Sequence, residues 1–147
     1  MSRRRVRAAL VTVACVGALT TAAAPATAQH QQPSQYTAKQ VRHFLTHFYG
    51  NTGPTAWERE HLVSDDLKDR AEHAPPGFDL IICHSHRPKS IEIGPVTTAQ
   101  SAGVGWATVF LGWGPHQEIS AFTAYVDLDT SRPLKLLDVN CDIPETP

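Results

Sequence analysis

The spacing of apolar residues changes period near residue 78, and that change divides the chain. Before it, Val41, Phe44, Leu45 and Phe48 fall at i, i+3, i+4 and i+7, which predicts a helix with one buried stripe. Thr37-Ala38-Lys39-Gln40 has the form of a capping box at its start, and Gly50-Asn51 supplies C-cap residues at its end. A second capping box, Thr55-Ala56-Trp57-Glu58, predicts a short helix carrying Trp57, His61 and Leu62 at helical spacing. Ser64-Asp65-Asp66 opens a third, whose acidic first turn suits the positive end of the helix dipole. Leu67 and Ala71 give it a thin apolar face, as expected of a surface helix, and Pro75-Pro76-Gly77 ends helix formation.

From Phe78 onward the pattern is that of strands. Leu80 to Ser85 is predicted as the first, Arg87-Pro88-Lys89 as a turn, and Ser90 to Val96 as a short second strand weakened by Gly94-Pro95. Gly103 to Trp113 is the most strand-like run. It sets Val104, Trp106, Thr108 and Phe110 against Gly105, Ala107, Val109 and Leu111, so both faces are expected to be covered. Gly114 to Gln117 makes a turn into Glu118 to Leu128, where Phe122, Ala124, Val126 and Leu128 oppose Ile119, Ala121, Thr123 and Tyr125. A turn at Asp129 to Pro133 leads to a last strand, Leu134 to Cys141. Helices first and consecutive strands afterwards predict an α+β domain, with N-terminal helices packed on a twisted antiparallel sheet. The domain is bounded at 36–143, after a flexible, Gln-rich lead-in at 29–35 and before a tail at 144–147.

The first 28 residues change the setting. Ser2-Arg3-Arg4-Arg5-Val6-Arg7 is a basic start, Ala8 to Ala24 is apolar without charge, and Ala26-Thr27-Ala28 is a small-x-small cleavage site, the pattern of a signal peptide removed on export. The apolar part falls short of the ~20 strongly apolar residues of a membrane span, so no anchor is expected after cleavage. The arginines suit general secretion and twin-arginine export alike. Cleavage would discard Cys15 and leave Cys83 and Cys141, which an oxidising compartment is expected to pair. Loss of Arg3, Arg4, Arg5 and Arg7 leaves 9 basic residues against 14 acidic ones, a net charge near −5. That balance argues against nucleic acid or an anionic membrane as partner, because phosphate binding needs clustered Lys and Arg.

The helix ending in Phe48-Tyr49, the acidic helical linker, Phe78-Asp79 shortly before Cys83, and a meander closing at Cys141 together resemble a family of small secreted bacterial domains of unknown function. That family is similar to the cone-shaped nuclear-transport-factor and cystatin-like fold group. The resemblance implies a roll with a pocket between sheet and helices and brings no assigned chemistry, since fold does not fix function.

Candidate chemistry is sparse. All eight histidines follow residue 28, and His84 with His86, or His43 with His47 one helical turn apart, would each supply two metal ligands without a local third. His43 and His47 lie opposite the apolar stripe, facing solvent. Asp79 or His84 as general base with Tyr125 as hydrogen-bond donor would suit isomerase- or dehydratase-like proton transfer, while Asp79 after Pro-Pro-Gly-Phe is more simply a turn or cap acceptor. Trp106, Trp113, His84 and His86 are the residues expected to touch a ligand or partner, Trp113 because it abuts a turn where a large ring is hard to bury. The glycines from Gly103 to Gly114 lack the following helix and Lys of a phosphate loop, and no cofactor is called for. The expectation is a secreted, non-enzymatic domain that binds a small apolar ligand or an extracellular or envelope protein. The alternatives are an acid/base enzyme of the same fold and an inhibitor or immunity protein against a secreted toxin.

Overall fold

A computed structural model describes residues 34–115 and 118–142. Helices α1 (Ala38–Tyr49), α2 (Ala56–His61) and α3 (Asp65–Glu72) precede strands β1 (Ser90–Ala99), β2 (Val104–Gly112), β3 (Ile119–Asp127) and β4 (Leu136–Asn140). The strands pair antiparallel in the order β1-β2-β3-β4, a plain meander. The chain is therefore α+β, and Cys83 and Cys141 form a disulfide with their Cα atoms 5.3 Å apart. The expected signal segment, with Cys15, lies outside the described residues, as do residues 29–33 and 143–147.

Both capping boxes form. The Gln40 amide donates to Thr37 Oγ1 and the Thr37 amide to Gln40 Oε1, and Thr55 and Glu58 repeat the exchange at α2. Gly50 closes α1 at φ 51°, a left-handed conformation that costs glycine little. The predicted stripe turns inward: Val41, Leu45 and Phe48 are fully buried, and Phe44 is partly so. Burying each such side chain is worth roughly 1.5–3 kcal/mol, which is what fixes α1 against the sheet. Contact is close. A Cβ at Gly105 would come within 3.1 Å of Leu128 Cδ2 and 3.5 Å of Val41 Cγ2, so the absent side chain lets the helix settle on β2.

On the inner face Gly105, Ala107, Val109 and Leu111 of β2 and Phe122, Ala124 and Val126 of β3 are buried against the helices. Among the described residues the core holds no buried charged side chain, and the deeply placed Tyr49 hydroxyl donates to the Ile81 carbonyl at 3.2 Å. On α3 only Leu67 is buried, in keeping with its thin apolar face.

Three expectations are corrected. Leu80 to Ser85 is not a strand: Leu80–Ile82 forms a single 3₁₀ turn, and Cys83 is left-handed at φ 51°, which no strand tolerates. The local apolar run was strong, but the Asp79 carboxylate accepts from the Ile81 amide at 3.0 Å and captures the backbone in a turn. Cys141 is therefore bridged to a loop before the sheet instead of to its first strand. β1 in turn runs on to Ala99, because a register shift between Ile93 and Val96 takes up Gly94-Pro95 as a bulge. Third, the two faces of the sheet are unequal: every outward residue of β2 and β3 keeps access to solvent, while the inward ones apart from Ser120 are buried. Gln35 bridges Asp129, and its side chain donates to the Gln100 carbonyl at 2.9 Å.

Candidate functional site

Two regions bring the singled-out residues together. The first is the loop Phe78 to His86. Asp79 takes a two-point ion pair from Arg59, with Nη1–Oδ1 at 2.9 Å and Nη2–Oδ2 at 2.6 Å, and Arg59 Nε also donates to the Pro54 carbonyl. Asp79 and His84 exchange backbone hydrogen bonds at 3.0 and 3.2 Å, closing the loop on itself. Tyr49 supports it from beneath. Burial pushes the Tyr49 phenol well above its usual range, Arg59 draws it back in part, and Asp79 adds to the rise.

The imidazole of His84 lies on the Trp113 ring with centroids 3.8 Å apart, and His86 stands 5.7 Å away. His84 Nδ1 accepts the His86 amide at 3.0 Å. A neutral ring whose Nδ1 accepts must carry its proton on Nε2, so neither nitrogen offers a free lone pair to a metal or to a substrate proton. Metal ligation or base catalysis at His84 would require this loop to open first. Among the described residues no group of three or more His, Cys, Asp or Glu side chains is arranged to hold a metal ion. His47 is engaged elsewhere, with Nδ1 3.6 Å from Glu58 Oε1. Trp113, the ring expected to mark a contact surface, is half-buried, with its Nε1–H donated to Ser120 Oγ at 3.0 Å. Trp57 is 61% exposed and stacks on His61.

The second region is the outer face of the sheet. Register places Thr97, Trp106, Tyr125 and Asp138 in one row across four strands, with Thr108 opposite Thr123 and Phe110 between Glu92 and Ala121. Phe110 is 37% exposed, Ile119 67% and the bulged Leu137 41%, and Trp106 and Tyr125 are half-exposed. From Val104 to Phe110 and from Ile119 to Tyr125 no outward residue of the two central strands is charged. Charge sits at the margins: Glu92 on β1, Asp138 paired with Arg70, and Asp127 paired with Arg132 at 2.9 Å. At the β4 side a cavity of about 490 Å³ opens between Tyr125, Val104 and Leu137, with Asp66 and Arg70 at its mouth.

Asp79, His84 and Tyr125 do not converge. Tyr125 lies five residues along β3 from the Ser120 that holds Trp113, about 16 Å at ~3.3 Å per residue. The layer between α1 and the sheet is filled by side chains at or near zero exposure, and the cavities described here open on the surface instead. Sequence reasoning missed Arg59 and the exposed trio Phe110, Ile119 and Leu137. The Arg59–Asp79 contact spans 20 residues and leaves no local signal, whereas the unbroken uncharged run on the outer face of β2 and β3 was visible and read as core. Comparison of the chain with protein-family models, with curated proteins and with solved structures finds no match.

Proposed function

We propose that the chain is a secreted, non-enzymatic interaction domain that docks an extracellular or envelope protein on the outer face of its sheet. The observation that carries this reading is the uncharged, solvent-accessible centre of that face, with Trp106, Phe110, Tyr125 and Ile119 inside a charged margin. Aromatic side chains at the centre and charge at the rim are the composition of protein interfaces, and a patch of this kind is seldom left bare on a monomer. The signal-like first 28 residues and the disulfide support export. Among the described residues no helix is long and apolar enough to cross a membrane. Helices first, a meander after and α1 laid on the sheet support grouping the domain with the cone-shaped nuclear-transport-factor and cystatin-like folds and with the small secreted family its sequence resembles.

The test is affinity capture from culture medium with the wild-type chain beside Thr108→Arg, which puts a charge at the centre of the face and leaves the core alone. A protein retained by the wild type and lost by the variant, at unchanged thermal midpoint, supports the reading. Equal retention by both, or none by the wild type, defeats it.

A further inference from the structure

A second surface feature, on the other side of the molecule's helical layer, has a different chemistry. Along one flank of α1 runs an open groove of about 680 Å³. Tyr36, Phe44 and Leu134 form its apolar walls, and Lys39, His43 and His47 follow one another along its rim. The walls are fixed. The Tyr36 hydroxyl donates to the Arg132 carbonyl at 2.8 Å, Phe44 stacks on Phe48 at 5.8 Å, and all three wall residues pack against the core. The rim residues are spaced one helical turn apart, so their nitrogen-bearing ends line up over about 12 Å at 1.5 Å per residue.

Charge along this rim is graded. His47 has the Glu58 carboxylate beside it at 3.6 Å, so the far end has an acidic neighbour, whereas Lys39 makes no ion pair among the described residues. Gln40, which lies between, is spent in the capping box. The groove thus offers a cationic end at Lys39, with the His43 imidazole one turn on as a hydrogen-bonding group, and a preformed apolar trough beyond it. Volume and lining match the sites that hold small ligands, which are mainly apolar with a few placed polar groups.

We infer that this groove binds a free single-chain amphiphile with an anionic head, a fatty-acid carboxylate, its head at Lys39 and His43 and its chain along Phe44, Tyr36 and Leu134. A neutral chain would leave the cationic end unmatched, and a cationic one would be repelled by it. A folded protein is a poor occupant, because the trough is bounded by the β3–β4 loop that supplies Leu134.

The test is titration of the purified protein with laurate below its micelle concentration, followed by amide chemical shifts. Saturable one-to-one binding is expected, with shifts along α1 and at Leu134. Lauryl alcohol is expected to bind at least 10-fold more weakly. Lys39→Glu, an exposed change outside the core, is expected to weaken laurate at least 10-fold at unchanged thermal midpoint. Absence of saturable binding, equal affinity for the alcohol, an unaffected Lys39→Glu variant, or a response confined to anionic vesicles overturns the inference. Thr108→Arg should leave laurate binding intact, so this site and the sheet face stand or fall separately.

Discussion

The loop from Phe78 to His86 and the outer face of the sheet use their side chains in opposite ways. In the loop, polar groups are matched inside the domain: Arg59 to Asp79, Asp79 to the Ile81 amide, the His86 amide to His84, Tyr49 to the Ile81 carbonyl, and Cys83 to Cys141. On the outer face Phe110, Ile119 and Leu137 keep 37%, 67% and 41% of their surface in water. A group already satisfied within its own fold has little left to give a ligand, because binding must first break the internal bond. An exposed apolar ring gains from any partner that dries it. Histidines, a carboxylate and cysteines made the loop the chemically conspicuous stretch, yet it is the clasp. The plain strands carry the surface.

If the loop is a clasp, cutting it must cost stability, and the largest loss is expected at the disulfide. The bridge spans 58 residues, a loop whose closure is worth about 4 kcal/mol in the chain-entropy account. Replacing both Cys83 and Cys141 by Ser should lower the urea midpoint by the equivalent of that amount. A loss below about 1 kcal/mol would show that the loop is held without its staple. Asp79→Ala comes next. It removes the cap of the 3₁₀ turn and leaves Arg59 without its carboxylate, at an expected cost of about 2 kcal/mol. Asp79→Asn keeps an acceptor for the Ile81 amide and should recover part of it. If Asn and Ala are equally damaging, charge pairing outweighs capping.

Tyr49→Phe tests the clasp from beneath. Loss of the hydroxyl leaves the Ile81 carbonyl with one bond fewer, for about 1 kcal/mol. It also changes the response to alkali. The Tyr49 pKa is raised in the folded protein above the ordinary phenol value of about 10, so this contribution is fully present below that pH. As pH climbs past it the unfolded chain releases a proton the native state retains, and stability falls until the folded pKa is passed. Urea midpoints collected from about pH 8 to 11 should fall more steeply for the wild type than for Tyr49→Phe. Parallel profiles would mean that the phenol is not shielded from water.

Much of this fold was legible, and the failures are instructive. Capping boxes at Thr37 and Thr55 and the stripe Val41, Phe44, Leu45, Phe48 are written within a few residues, and they formed as read. The two long strands were legible from alternation. Residues 80–85 were misread because the apolar run outweighs the one local signal, the Asp79 carboxylate capping the Ile81 amide, and the rest is not local: Asp79 is held by Arg59 from 20 residues away, and Cys83 by Cys141 from 58. The outer face was misread for a different reason. Trp106, Phe110 and Val104 alternate as core residues do, and hydrophobicity alone does not distinguish a buried face from one awaiting a partner. The cysteine pairing was accessible by counting, while the groove beside α1 depends on Leu134, whose position no local pattern sets.

The smallest effect on stability is expected where the reading of function is most exposed. Ile119 is 67% exposed and pairs with Gly112 at the end of β3, so Ile119→Lys removes little packing and should shift the thermal midpoint by an amount equivalent to less than about 0.5 kcal/mol. The same change sets an ammonium on an uncharged face, where a partner would have to strip it of water, and changes at the few hot-spot positions of an interface cost about 2 kcal/mol or more. Stability and binding should therefore separate at this residue, as they should at Thr108, and not in the clasp. An Ile119→Lys chain that unfolds several degrees early would place the side chain in the core of the domain, and the contrast between clasp and face would fail at the point where it is sharpest.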